Sequence, residues 1–237
     1  MKKLMTVCAA CMVAGLVSAA VESQNIVGYS TVDAPQGSSI FAPTFTTVGG
    51  GETDLTLGMI TPGASFDAED ASGGGTIQFV NPDGTWGLLA QYWANYGGWF
   101  DFDDNDVNDT VLPKGGACYV YSTAASTFMC AGEISLQSFD VTIPAGSSQL
   151  GNPIPTALVL GDITASVSFD AETSLQNSIQ FINPDGTWGL LAQYWANYGG
   201  WFDFDDNNVN STPLTESSAF YVYATADATL TFPAIGI

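Results

Sequence analysis

The 237-residue chain carries 24 Asp and Glu against three Lys, has neither Arg nor His, and is 46% hydrophobic. Phosphate backbones repel such a chain and the cations that would release their counterions are missing, so nucleic acid is excluded as a partner. Without His or Arg, the commonest general base and metal ligand and the bidentate anion clamp are lost, leaving carboxylates as catalysts, in practice those of glycoside hydrolysis.

Lys2 and Lys3 precede an apolar run from Leu4 to Val17 and then Ser18-Ala19-Ala20. A charged start, a short apolar centre and small residues at a cleavage site describe a secretory signal peptide, and the run is short for a membrane span. Cleavage is expected after Ala20. It leaves Lys114 alone against the 24 acidic residues, a net charge of −23, and no segment for membrane insertion. The expected location is secreted: extracellular, cell surface or periplasm.

From Ile26 onward, short β-branched or apolar segments alternate with Gly, Pro and Asn turns: Ile26–Val32, Ser39–Phe45, Ile77–Val80, Leu88–Ala94, Trp99–Phe102, Ala117–Ser122 and Thr127–Ile134. Helical periodicity is nearly absent, apart from a possible turn at Asp54–Leu57. Many short strands with this punctuation predict an all-β sandwich or barrel. Within the series, Asn81-Pro82-Asp83-Gly84 reads as a turn and Ala94–Trp99 as a hairpin connection.

The segment NPDGTWGLLAQYWANYGGWFDFDDN occurs twice without change, as Asn81–Asn105 and Asn183–Asn207. At the same offset of 102 residues, Ile77-Gln78-Phe79 returns as Ile179-Gln180-Phe181 and Tyr119-Val120-Tyr121 as Tyr221-Val222-Tyr223. Phe66-Asp67-Ala68-Glu69 also matches Phe169-Asp170-Ala171-Glu172, the first copy being longer at its Gly49–Gly51 and Gly73–Gly75 tracts. The expectation is a signal peptide over 1–20 and two tandem β-sandwich or barrel-like modules, 21–134 and 135–237, related by internal duplication.

Each copy opens on a proline–glycine turn and an apolar strand (Pro35-x-Gly37 to Pro43), then passes through a Tyr/Trp-rich hairpin. Leu112-Pro113-Lys114-Gly115-Gly116-Ala117-Cys118-Tyr119-Val120 and Thr127-Phe128-x-x-x-Gly132-Glu133-Ile134 follow. The pattern resembles the repeated β-modules of uncharacterised secreted or cell-surface bacterial proteins. The second copy departs from it, with Leu214-Thr215-Glu216-Ser217-Ser218 at the Leu-Pro-x-Gly-Gly turn. The resemblance implies location and fold, and no activity.

Two constellations are candidates for function. Trp86, Tyr92, Trp93, Tyr96 and Trp99, mirrored by Trp188, Tyr194, Trp195, Tyr198 and Trp201, are either core and inter-module packing or a glycan-stacking surface. Strand alternation prevents Tyr92 and Trp93 from both facing inward. Asp101, Asp103 and Asn105, with Asp203, Asp205 and Asn207 in the other copy, have the first-third-fifth spacing of a calcium loop. Asp106 and Leu112 stand where such a loop needs Gly and a bidentate acid, so the alternative is a solvated acidic loop. The sequons at Asn108 and Asn210 read as accidental. Calcium is the one cofactor the sequence admits.

Cys118 and Cys130 are the two cysteines left after signal cleavage, in a compartment that favours disulfides. A hairpin centred on Ala124 would set them directly opposite, about 4.5 Å apart at their Cα atoms, with Phe220 and Phe232 as the aromatic counterpart. The sequence therefore predicts a secreted, non-enzymatic, structural or adhesive protein, with extracellular polysaccharide or envelope components as partners. A carbohydrate-binding protein with one aromatic site per module is the alternative, and a carboxylate glycosidase stands third.

Overall fold

The computed structural model describes residues 27–45, 55–70, 74–80, 85–112, 115–134, 137–183, 187–215 and 219–235. The signal segment and the Asn81–Gly84 turn lie outside them. The protein is all-β, its small antiparallel sheets forming a ring that resembles a four-bladed propeller, and the described residues contain no α-helix.

The first repeat holds β1 (Val27–Ala34), β2 (Gly37–Phe41), β3 (Leu55–Thr56), β4 (Ile60–Pro62), β5 (Gly75–Val80), β6 (Trp86–Trp93), β7 (Gly98–Asp101), β8 (Val111–Leu112), β9 (Cys118–Ser122) and β10 (Ser126–Glu133). They form sheets β1-β10-β4, β2-β9-β5-β6-β7 and β3-β8. The second repeat holds β11 (Phe139–Ile143), β12 (Gly146–Gly151), β13 (Leu158–Val159), β14 (Thr164–Ala165), β15 (Ser178–Ile182), β16 (Trp188–Trp195), β17 (Gly200–Asp203), β18 (Pro213–Leu214), β19 (Ala219–Ala224) and β20 (Ala228–Phe232). Its sheets, β11-β20-β14, β12-β19-β15-β16-β17 and β13-β18, have the same order. Ile77 faces Ala90 and Val120, and 102 residues on Ile179 faces Ala192 and Val222.

Alternation along the strands decides what is buried. On β9, Cys118, Val120 and Ser122 point inward and Tyr119 and Tyr121 outward; on β10, Phe128 and Cys130 point inward and Met129 and Ala131 outward. The inward sets of the three- and five-stranded sheets meet in one core, with Trp99 and Phe66 fully buried at its centre. The second repeat builds its own core around Trp201 and Phe169. Burial of these alternating apolar positions is the main stabilising term.

The repeats meet along the edge strand β12. Ala117 N–H donates to Gln149 O at 3.2 Å and Gly151 N–H to Gly115 O at 3.0 Å. Gly115 has φ 80°, and a Cβ there would lie 2.7 Å from a Val141 methyl, so glycine is required at this junction. A third, smaller apolar cluster closes the contact: Ile40, Ile182 and Ala219, with Tyr119 and Tyr221 packed against it.

The expected hairpin between Cys118 and Cys130 does not form. β9 pairs with β2 and β5, whereas β10 pairs with β1 and β4. The link from Ser122 to Ser126 therefore crosses between two sheets, and the cysteines meet through the core, not across a ladder. Both are free, buried thiols. Burial, and secondarily the neighbouring Cys130, pushes the Cys118 thiol up to about 12; burial does the same to Cys130. Such thiols stay protonated and inert at neutral pH. The folded, unreduced protein is expected to give no reaction with a thiol reagent at pH 8, and two equivalents once denatured. Two equivalents in the folded state would show the core to be open, and none after denaturation would show a disulfide.

Candidate functional site

Packing sorts the ten candidate aromatics into three groups. Trp99 and Trp201 belong to the cores, where their indole N–H groups donate to Ile60 O at 3.2 Å and Ile163 O at 2.9 Å. Tyr92 and Tyr194 lie half-buried against them, edge-on at 5.3 and 5.2 Å between ring centroids. The other six face outward.

Trp86 and Trp188 reach the outer face through a bulge. The register between β5 and β6 slips between Gln78 and Val80, and between Gln180 and Ile182 on β15. That slip turns Trp86 outward although Leu88, Ala90 and Tyr92, two, four and six residues on, point to the core. Trp86 is 60% exposed and Trp188 58%. Each reaches across the intervening strand to a tyrosine two strands away, Trp86 on Tyr119 of β9 at 5.1 Å and Trp188 on Tyr221 of β19 at 6.0 Å. Burial, then the nearby Tyr221 phenol, raises the Tyr119 pKa. The two Trp–Tyr pairs thus approach each other across the junction between repeats.

Trp93, Tyr96 and Phe100 form a separate cleft at the far end of the same sheet. Trp93 and Tyr96 stand 6.0 Å apart at 72°, and Tyr96 and Phe100 6.1 Å apart at 73°. With Asp104 they line a cavity of about 340 Å³. Trp195, Tyr198, Phe202 and Asp206 line its counterpart of about 330 Å³. Phe100 and Asp104 escaped the sequence reading, which treated the first as a strand residue and the second as part of a charged loop.

The turn that carries Tyr96 is held from below. Asp67 Oδ1 accepts the Ala94 N–H at 3.3 Å and the Glu69 N–H at 3.2 Å, while Asn95 Nδ2 donates to Glu69. Asp170 and Glu172 hold Ala196 and Asn197 in the same way. This is the structural use of the shared Phe-Asp-Ala-Glu segment: its Phe lies under the buried Trp, and its two acids anchor the aromatic turn. Gly97, at φ 78°, closes the turn in a left-handed conformation.

The acidic loop is organised by its own hydrogen bonds. Asp101 Oδ1 accepts the Asp103 and Asn105 N–H groups at 2.9 and 2.8 Å, and Oδ2 accepts from Asn105 Nδ2 at 2.9 Å. The Asn105 amide, then the backbone donors, hold Asp101 below its ordinary pKa, and Asp203 is held alike by Asn207. The Asp101 carboxylate and the Asn105 N–H donors thus serve the turn, with Asp103 exposed beside them. Among the described residues no three His, Cys, Asp or Glu side chains form a group that could hold a metal ion. Asp203, Asp205 and Asn207 repeat this arrangement.

Both sequon asparagines serve the backbone. Asn108 Oδ1 accepts the Trp99 N–H at 2.9 Å, and Asn210 Oδ1 the Trp201 N–H at 2.7 Å. Their side chains fill the space beside Gly98 and Gly200.

Among the described residues no helix is long and apolar enough to cross a membrane. Comparison with protein-family models, curated proteins and solved structures gives no match.

Proposed function

We propose that the chain is a secreted, non-enzymatic, adhesive protein of two tandem sandwich-like modules that attaches to neutral polysaccharide. The observation that supports this reading is the character of the outward faces of the two five-stranded sheets. In the first repeat that face presents Trp86, Tyr119, Tyr121, Gln78, Gln91 and Thr76, and in the second Trp188, Tyr221, Tyr223, Gln180 and Ser178. None is charged, although the mature chain carries a net charge of −23 and Asp33 and Asp140 stand exposed on the smaller sheets. Ring faces stack on the C–H faces of sugars, and amides and hydroxyls bond their hydroxyl groups without demanding a charged ligand. Lying on the two neighbouring repeats, the Trp86–Tyr119 and Trp188–Tyr221 pairs suit an extended chain better than a single sugar. Two faces on one molecule also raise avidity for a repeating polymer.

The reading is tested by retention on a panel of insoluble neutral polysaccharides. The mature protein is expected to bind at least one, and the Trp86→Ala/Trp188→Ala variant to lose at least about tenfold in affinity. Chromogenic glycosides should stay uncleaved. Absence of retention on every polymer, or unchanged retention after both substitutions, would overturn the proposal.

A further inference from the structure

We infer that the paired clefts of Trp93, Tyr96, Phe100 and Asp104, and of Trp195, Tyr198, Phe202 and Asp206, are binding sites for an alkylammonium group. They are distinct from the flat faces assigned to polysaccharide, and the difference lies in geometry and charge. Trp93, Tyr96 and Phe100 are not coplanar: each neighbouring pair meets at 72–73°, so the rings make the walls of a box. A sugar stacks on an open ring face, whereas several ring faces around one point concentrate negative quadrupole potential there, which attracts a cation.

The fourth wall is a carboxylate. Asp104 sits at φ 63° and Asp206 at φ 62°, the two described non-glycine residues with positive φ. The turn holds each by its backbone, Asp104 N–H donating to Asp101 O and Asp206 N–H to Asp203 O, both at 3.2 Å. A left-handed turn position is satisfied by Gly or Asn at least as well as by Asp. The turn alone therefore does not require the charge that lines the cleft. No described residue has a cationic side chain, since the three lysines of the chain lie outside the described residues. The field of a chain with net charge −21 further favours a positive ligand over a neutral or anionic one.

A cavity of about 340 Å³ has room for a trimethylammonium or lysine-type head with part of its alkyl stem. Tyr96 is 71% exposed and Tyr198 70%, so both clefts open to solvent. Small quaternary amines and lysine side chains share the required chemistry.

Calorimetric titration of the mature protein at low ionic strength with tetramethylammonium and with choline tests the inference. Two equivalent sites per chain are expected, weakening as salt is added. The neutral isostere 3,3-dimethylbutan-1-ol should bind at least about tenfold more weakly. Asp104→Asn keeps the left-handed turn and removes the charge; it should reduce the stoichiometry from two sites to one, and Asp104→Asn/Asp206→Asn should abolish both. Tyr96→Leu, checked by thermal melting to remain folded, should lose its cleft likewise. N-acetyl-lysine methylamide and its trimethylated form, run beside choline, show whether a lysine side chain or a small quaternary amine fits better. Absence of binding at millimolar tetramethylammonium, equal binding of the alcohol, or unaltered binding after Asp104→Asn/Asp206→Asn would each overturn the inference. Polysaccharide retention follows Trp86 and Trp188 and ammonium binding follows Asp104 and Asp206, so the two readings fail separately.

Discussion

Replacing Trp99 by alanine is expected to destabilise the first repeat by about 3–5 kcal/mol, the range for removing a large buried aromatic. The indole is fully buried and touches Phe66, Tyr92 and Phe128 at centroid distances of 5.9, 5.3 and 6.4 Å. It also supplies the N–H bonded to Ile60 O, so the substitution leaves a buried carbonyl without its donor as well as a cavity. Trp99→Phe should recover much of the packing but not that hydrogen bond. Trp201→Ala should have an effect of the same order, because Trp201 keeps the edge-on tyrosine and the carbonyl partner. Urea unfolding followed by circular dichroism reads the change. A loss below about 1 kcal/mol for Trp99→Ala, the scale of an ordinary surface substitution, would mean that this ring does not organise the core.

The second large effect concerns how two repeats with the same ladders fill their cores differently. Phe41 faces Cys118 across the β2–β9 ladder, and Leu150 faces Phe220 across β12–β19. Phe128 and Cys130 on β10 correspond to Leu230 and Phe232 on β20. One repeat thus places its rings at Phe41 and Phe128, 5.2 Å apart, with small thiols at Cys118 and Cys130; the other places them at Phe220 and Phe232, with leucines at Leu150 and Leu230. Introducing Cys118→Phe and Cys130→Phe alone should overpack the first core, destabilising it by about 1–3 kcal/mol for each ring. Adding Phe41→Leu and Phe128→Leu should recover most of that loss, whereas the two leucine substitutions by themselves should leave a cavity. The test is the coupling between the pairs, expected to be favourable and on the order of 1–3 kcal/mol. Purely additive effects would show that the two packings are not alternatives for one site.

The core swap also shows why the disulfide prediction went astray. Cys118 and Cys130 flank a short turn at a spacing that fits a hairpin, and the sequence offers no local sign that the chain leaves one sheet for the other. That choice depends on β2 and β5 already occupying both sides of β9, and β1 and β4 both sides of β10. These are long-range pairings, invisible to turn chemistry. Ser122, Thr123, Ala124 and Ala125 suit a sheet-to-sheet crossing as well as a reversal.

What the sequence determined by itself was whatever depends on local pattern and on repetition. Period-two alternation and Gly/Pro/Asn punctuation were enough for an all-β chain. The exact recurrence of Asn81–Asn105 was enough for two equivalent sets of strands, because identical neighbours along the chain impose identical local geometry. Alternation also separated Tyr92 from Trp93 before their surroundings were known. Only the tertiary structure decided which aromatics are core and which are surface. Trp86 would follow Leu88 and Ala90 inward by alternation; a bulge turns it outward, and a bulge is set by the partner strand. Trp99 is buried because the three-stranded sheet folds over it and Ile60 offers its carbonyl. Asp104 becomes the wall of a cleft because Asp101 and Asn105 bend the loop back toward Tyr96 and Phe100. In each case the deciding contact joins residues whose approach depends on the folded backbone, which no reading of neighbours along the chain contains.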